Sequence, residues 1–360
     1  GIDIAMPVIA ADSGIMPQTE EHLRIIEMLG IEQGIIVINK IDLVDEETVE
    51  LAELEIREYL EGSKLESAPV VPVSSVTGQG IDKLVETIIS IIPQIKEKQT
   101  GDTFRMYIDR IFNVKGVGFV VTGSVLEGKA SLGMDLYLLP GKSKKVKIRN
   151  IERHGQSVEA VYHGDRAAIN LAGLKFEDYS RGMVIASKPF EESLMIDATL
   201  SLFDPTSVLG TWSSVIFYTG TFECAARLHL LDKDELQPGQ AGIVQIQLSS
   251  PSVLLVNDKY IIRNSSNDKT LGGGTIIDNQ PLHHRKRTDK LTKSLKELVD
   301  ATLNSDKISN LVKIELTKVN SPAFAETIAD TLGKPVQELL QGLETESSES
   351  IKFTKEIRII

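Results

Sequence analysis

Apolar and polar positions change their spacing three times along this chain. From Ile2 to about residue 98, short β-branched runs alternate with stretches whose apolar positions recur every three to four residues. Strands are predicted at Ile4–Ala10, Gly34–Ile38 and Val70–Val73. Helices are predicted at Thr19–Leu29, closed by Gly30, at Asp45–Tyr59 with Asp45 as N-cap, and at Gly80–Ile92, stopped by Pro93. Three successive strand–helix units imply parallel strands joined by helical crossovers.

Around Gln94–Asp102 the chain turns polar, as a linker would, and the apolar period drops to two. Short alternating runs follow at Phe104–Ile111, Gly118–Ser124, Asp135–Leu139, Val146–Ile151, Arg166–Leu171 and Met183–Ile185. Punctuated by glycine, they predict a closed antiparallel barrel. A second set at Met195–Leu202, Ser213–Phe217, Phe222–Leu230, Gly242–Leu248, Tyr260–Asn264 and Thr275–Ile277 predicts a second barrel. Leu271-Gly272-Gly273-Gly274-Thr275 is glycine-rich without a following Lys and reads as a turn. At His283 a basic stretch opens. Helices are then predicted at Leu291–Leu303, at Ala323–Leu332 after Ser321-Pro322, and at Val336–Leu343, with a β pair of Ile351–Thr354 and Ile357–Ile360. That succession suggests a winged-helix module. The expected divisions are 1–98, 99–190, 191–282 and 283–360.

Composition narrows the class. The chain has 360 residues, and no apolar run approaches the about 18 residues of a membrane span. Cys224 is the single cysteine, which excludes a disulfide framework and suits a reducing cytosol. A net charge of -12 argues against a surface coated by nucleic acid but leaves room for a local basic face. The chain opens without Met on an apolar run, and its first Lys or Arg is Arg24, which does not suit a signal peptide. It reads as a strand entered mid-domain, so a fragment is expected.

Two stretches carry candidate chemistry. Asn39-Lys40-Ile41-Asp42 follows the second strand, at the carboxyl end where α/β sheets bind ligands. There the Asp42 carboxylate would accept from guanine N1–H and NH₂; adenine offers no such pair and would leave the charge unmatched. Asn39 would hold the base edge and the loop, and the Lys40 stem would lie over the base. Ser74-Ser75-Val76 follows the third strand, where backbone N–H groups would bind guanine O6. The alternative is two ordinary loops; their occurrence after successive strands favours base recognition. A Gly-x-x-x-x-Gly-Lys-[Ser/Thr] phosphate loop is absent from the sequence.

With these residues in place, the chain resembles translational GTPases. Asp12-Ser13-Gly14-Ile15-Met16-Pro17-Gln18-Thr19-Glu20-Glu21-His22, Asn39–Asp42, Ser74–Val76 and Val114–Gly123 carry the resemblance. Within that group it is most similar to the bacterial selenocysteine-specific elongation factors, through Lys115-Gly116, Arg153–Glu159, Gly164–Gly173, Leu271–Gly274 and Asp278. The resemblance implies a multidomain fold: part of an α/β P-loop-type GTPase domain, two antiparallel β-barrels and a C-terminal winged-helix module. It implies binding of GTP and GDP, Mg²⁺ held by residues upstream of Gly1, and GTP-dependent delivery of selenocysteyl-tRNA to a ribosome at a recoded UGA. With the phosphate loop and switches missing, this stretch alone would be inactive, and no catalytic residue is assigned in it. An mRNA hairpin would bind through modules beyond residue 360. A cytoplasmic monomer, with no membrane partner, is expected.

By motif matching, Asp109 and Arg166 fall where such factors line the aminoacyl pocket between the GTPase domain and the first barrel. A guanidinium suits a selenolate, since selenols ionise more readily than thiols. The alternative for this pair is a surface ion pair, and Arg110 alternates to the other face. His283-His284 lacks further ligands at metal spacing and reads as a solvated or RNA-facing segment. Lys142, Lys144, Lys145, Lys147 and Arg149 alternate along a hairpin and read as a solvated face or a phosphate contact. Trp212 and Tyr218 read as barrel packing. The competing functions are a general aminoacyl- or initiator-tRNA carrier, and an RNA-binding module working without nucleotide.

Overall fold

A computed structural model describes residues 2–95, 103–284, 286–304, 309, 311–312, 315–316, 323–332, 336–345 and 358–359. The chain divides into two compact units, Gly1–Gln99 and Thr100–Ile360.

The first unit is a three-stranded parallel sheet, β1 (Val8–Ala10), β2 (Ile36–Asn39) and β3 (Val70–Pro72), in that spatial order. Val37 is in register with Val8 and Val71. Alternation along β2 explains its unbroken apolar run. Ile36 and Ile38 join a core with Ile9, Leu23 and Ile56, while Ile35 and Val37 join another with Val71, Val73 and Ile91. Helices α1 (Pro17–Met28) and α2 (Glu46–Leu60) supply the first core and α3 (Ile81–Ile91) the second. Asp45 caps α2, its carboxylate accepting the Thr48 N–H at 2.9 Å. The predicted α/β order is present.

In the second unit, β4 (Arg105–Tyr107), β6 (Gly118–Glu127), β8 (Asp135–Leu139), β9 (Lys144–Arg153), β12 (Arg166–Ala172) and β13 (Val184–Ala186) close a six-stranded ring. Its order is β9-β12-β6-β4-β13-β8 and back to β9. Strand β5 (Arg110–Val114) pairs outside the ring with β6. Two short additions, β7 (Lys129–Ser131) and β11 (Ala160–Tyr162), pair with each other, and β10 (Gln156–Ser157) pairs with β9. A second closed barrel runs β14 (Ser193–Leu202), β19 (Ala241–Ser252), β17 (Phe222–Leu230), β16 (Ser213–Thr219), β20 (Lys259–Asn264) and β21 (Thr270–Asp278), and two short strands, β15 (Leu209–Gly210) and β18 (Glu235–Leu236), pair with each other.

The barrels share packing: Tyr107, Leu139, Val184 and Ala186 of the first lie in one core with Phe217, Phe222 and Tyr260 of the second. Arg105 crosses the junction almost fully buried. Its Nη1 and Nη2 each donate to a different oxygen of Asp258 at 2.6 Å, and Nη2 also reaches Glu127 at 3.2 Å.

The glycine-rich stretch overturns its predicted turn. Leu271–Thr275 lies inside β21. A Cβ on Gly274 would stand 1.9 Å from the Thr199 carbonyl oxygen, and one on Gly272 2.2 Å from that of Ser201. The glycines let two backbones close the barrel where a side chain would not fit.

Beyond the barrels, α4 (Asp289–Val299) is capped by the Thr288 hydroxyl. Leu295 and Leu298 pack on Leu231, Ile243 and Ile277 of the second barrel. Further helices span Ala325–Leu332 and Val336–Thr345. Ala323–Phe324, expected as helix, is a short strand paired with Arg358–Ile359. The predicted Ser321-Pro322 cap, and the Ile351–Thr354 strand expected to pair with this last segment, lie outside the described residues.

Candidate functional site

At the carboxyl end of β2 the chain reverses sharply. Lys40 takes the left-handed conformation, φ 65° and ψ 31°, and Ile41–Leu43 makes one 3-10 turn. A non-glycine residue there costs roughly 1–2 kcal/mol. Neighbouring loops hold it: the Ala11 N–H donates to the Asn39 carbonyl at 2.8 Å and the Ile41 N–H to the Val73 carbonyl at 3.3 Å.

Asn39 joins the two predicted base-reading loops. Its Oδ1 accepts the Ser75 N–H at 3.1 Å and its Nδ2 donates to the Ser75 hydroxyl at 3.3 Å. Ser74 is buried, and its Oγ accepts from the N–H groups of Val76 at 3.3 Å and Thr77 at 3.1 Å. Ser75 and Val76 are exposed at the rim. Asp42 is also exposed and makes no hydrogen bond or ion pair among the described residues. Lys40 Nζ lies 3.3 Å from Asp12 Oδ2. The Ser13 hydroxyl does most to hold the Asp12 carboxyl below its ordinary pKa; partial dehydration opposes this and Lys40 reinforces it. Asp12 as a partner for Lys40 escapes a linear reading, because 28 positions separate them.

Asp109 and Arg166 are also brought together. Arg166 Nη2 lies 2.7 Å from Asp109 Oδ2, with Arg166 more than half exposed. Thr122 donates its hydroxyl to Asp109, and the Asp109 N–H donates to the Thr122 carbonyl. Arg166 lines a shallow cavity of about 220 Å³ with Thr122, Glu152, His154 and Ala168. Arg110 is exposed on β5.

Two other readings change. His284 is not solvated: its Nε2 lies 2.7 Å from Asp197 Oδ2, and its backbone N–H donates to Gln245 Oε1 at 3.2 Å. Gln245 also donates to Asp197 at 2.8 Å, so a buried carboxylate and amide collect this histidine from the chain leaving the barrel. His283 remains exposed. Trp212 is not core packing; it is 46% exposed and stacks on His229 with centroids 4.6 Å apart. Tyr218 stands at the barrel surface, its hydroxyl bonded to Asn267. Among the described residues no group of three or more His, Cys, Asp or Glu is placed to hold a metal ion.

Comparison with known proteins agrees with this architecture. Residues 1–94 match the family described as "Elongation factor Tu GTP binding domain", residues 118–186 "Elongation factor Tu domain 2", and residues 196–283 "Selenocysteine-specific elongation factor, beta-barrel domain". The chain belongs to the translational GTPases of the elongation factor Tu type. Within them it is a member of the selenocysteine-specific elongation factor family. It is 37% identical over 305 residues to the selenocysteine-specific elongation factor of Desulfomicrobium baculatum, covering 84% of this chain and 48% of that protein. It is 30% identical over 343 residues to that of Escherichia coli, covering 95% of this chain and 53% of the other. The chain thus spans about half the length of these curated relatives. Translation elongation factor SelB from Methanococcus maripaludis, solved with the GTP analogue GPPNHP, superposes with a TM-score of 0.68 at 25% identity, covering 78% of this chain and 66% of the other. A bacterial selenocysteine-specific elongation factor structure gives 0.71 at 24% identity over 99% of this chain and 66% of that one, a likeness of fold.

Proposed function

We propose that Asn39, Lys40, Asp42, Ser74, Ser75 and Val76 form the guanine-reading edge of a GTP-dependent factor that delivers selenocysteyl-tRNA to ribosomes at recoded UGA codons. The observation that carries this reading is the division of labour in the two loops. Asn39 is taken up in bracing Ser75, while Asp42 stands exposed with its carboxylate unpaired among the described residues. A free carboxylate at a strand's carboxyl end suits a base that presents N–H and NH₂ side by side. The Val76 N–H, held only by a 3.3 Å bond to Ser74, is a weakly committed donor for O6. The GTP-analogue complex of the Methanococcus maripaludis relative supports guanine nucleotides as the ligands. Mg²⁺ would accompany the phosphates; no residue of this chain is assigned to it.

The test is nucleotide affinity of the whole factor carrying Asp42→Ala. Loss of charge-assisted hydrogen bonds is expected to weaken GDP binding by about 2–3 kcal/mol, roughly 30- to 150-fold, and to abolish preference over ADP. Unchanged GDP affinity on isothermal titration would remove Asp42 from the site.

In this reading residues 1–98 belong to the nucleotide-binding domain, 99–190 and 191–282 are the two barrels, and 283–360 begins a winged-helix region. The ribosome, and the mRNA hairpin that marks the codon, are the further partners it implies. Arg166, oriented by Asp109, faces the aminoacyl group and pairs with its selenolate. Arg166→Ala should therefore erode the preference for selenocysteyl-tRNA over seryl-tRNA while leaving GDP affinity alone. Competition binding in the whole factor measures this, and equal discrimination by variant and parent would make the pair a surface ion pair only. Bulk aminoacyl-tRNA in the same competition separates this carrier from a general one.

A further inference from the structure

The outward face of β9 from Lys145 to Arg149 takes no part in the sites described above; Glu152, further along the strand, lines the Arg166 cavity. Val146, Ile148 and Ile151 enter the first barrel's core, while Lys145, Lys147 and Arg149 are exposed. Alternate residues of a strand stand about 6.7 Å apart, so these three cations form an evenly spaced ladder. The register between β9 and β12 slips at Asn170/Leu171, which leaves Arg149 as the extra residue of a bulge. The bulge keeps Asn150 out of the core and ends the ladder on Arg149; bulges commonly re-aim a side chain in this way.

Little on the protein neutralises this face. Lys144, of the opposite parity, is paired with Asp178. Lys145 lies over the Tyr137 ring, 5.4 Å from its centroid, which orients the ammonium without cancelling its charge. Asp135 is in register with Lys147, yet neither Lys147 nor Arg149 forms an ion pair among the described residues. Lys142 extends the row into the adjoining turn and is exposed. A concentrated positive row on a chain of net charge -12 is a local feature with a local partner. The apolar residues between the cations point inward, so the face offers charge without the apolar wedge that a lipid surface favours.

We propose that the β9 face binds the backbone phosphates of an RNA stem, independently of base sequence. The proposal rests on the reading of this chain as part of an RNA carrier and adds a docking surface separate from the aminoacyl and guanine sites. The experiment is fluorescence anisotropy of the full chain with a labelled RNA hairpin, across a salt series. The triple variant Lys145→Gln/Lys147→Gln/Arg149→Gln keeps most of each stem and removes the charges; its melting temperature checks that the barrel is intact, and Lys83→Gln serves as a control elsewhere. Each phosphate contact contributes about 0.7–0.9 to the slope of log affinity against log salt, so the triple variant should flatten that slope by roughly 2–3 and bind about tenfold or more weakly at low salt. Coincident curves for parent and triple variant would overturn the β9 proposal and leave the carrier reading standing. No RNA affinity in the parent at any salt would overturn the β9 proposal too, while the carrier reading stands or falls with the Asp42→Ala and Arg166→Ala measurements on the whole factor. Loss of binding to phosphatidylserine vesicles with RNA binding unchanged would assign the face to anionic lipid instead.

Discussion

Arg105 points out of the first barrel, whose interior takes Phe104, Met106 and Ile108, and is buried instead at the junction with the second barrel. Burial alone would depress its pKa, but the Asp258 carboxylate more than offsets this and Glu127 adds to it, so the guanidinium stays charged. Glu127 is itself pushed up, chiefly by burial. Asp258→Ala would strand the buried cation, at about 3–5 kcal/mol, whereas an apolar replacement of the whole cluster would be far milder. A large drop in the barrels' melting temperature is the expected result, and a change of a degree or less would show that water reaches Arg105. His229 gives a pH signature. Burial, then His283 and His284, lower its pKa against a smaller opposing pull from Asp197, and its Nδ1 has no partner among the described residues. A histidine depressed in the folded state lends stability above its unfolded pKa of about 6.5, and this is lost as pH falls through the folded value. Thermal melts from pH 8 to 5 should therefore decline less steeply in His229→Gln than in the parent. The residue types of this network were legible in the sequence; the pairing of Arg105 with a carboxylate 153 positions away was not.

Among elements, β21 shows how a local signal misleads. Glycine clusters usually mark turns, yet here they lie in a strand pressed against the Thr199 and Ser201 carbonyls. Gly274→Ala should open the barrel and cost several kcal/mol, as overpacking against backbone does. Gly210→Ala, where an added Cβ meets nothing within 4 Å and φ is not positive, should be nearly neutral. Paired circular-dichroism melts of the two variants check this contrast. The predicted barrel strands matched where the period of two is clear, and the sheet strands of the first unit where short β-branched runs stand between helices. The pair Lys129–Ser131 and Ala160–Tyr162 was missed because three residues carry too little periodicity to register.

At the scale of the whole molecule, the apolar cores fall on two sides of the unit division. Ile9, Ile38, Ile56 and Val71 belong to clusters made only of residues before 99, and the barrel clusters only of residues after 100. Calorimetry should therefore resolve two unfolding transitions. Ile56→Ala, which removes a fully buried side chain, should lower the first by an amount equivalent to about 2–5 kcal/mol. Asp258→Ala should lower only the second. A single transition shifted by both variants would contradict that independence.

The order of elements could be read from local pattern, because period and capping are local: Asp45 caps its helix, and apolar alternation marks the barrel strands. The sequence also flagged the residues of the guanine and aminoacyl proposals, since their motifs are short and contiguous. Tertiary structure decided how they are held. Asn39 braces Ser75 across 36 positions, Asp109 meets Arg166 across two strands, and Asp197 with Gln245 captures His284. Such contacts depend on where folding brings distant segments, and a polar side chain's type says what it can bond to, not which partner arrives.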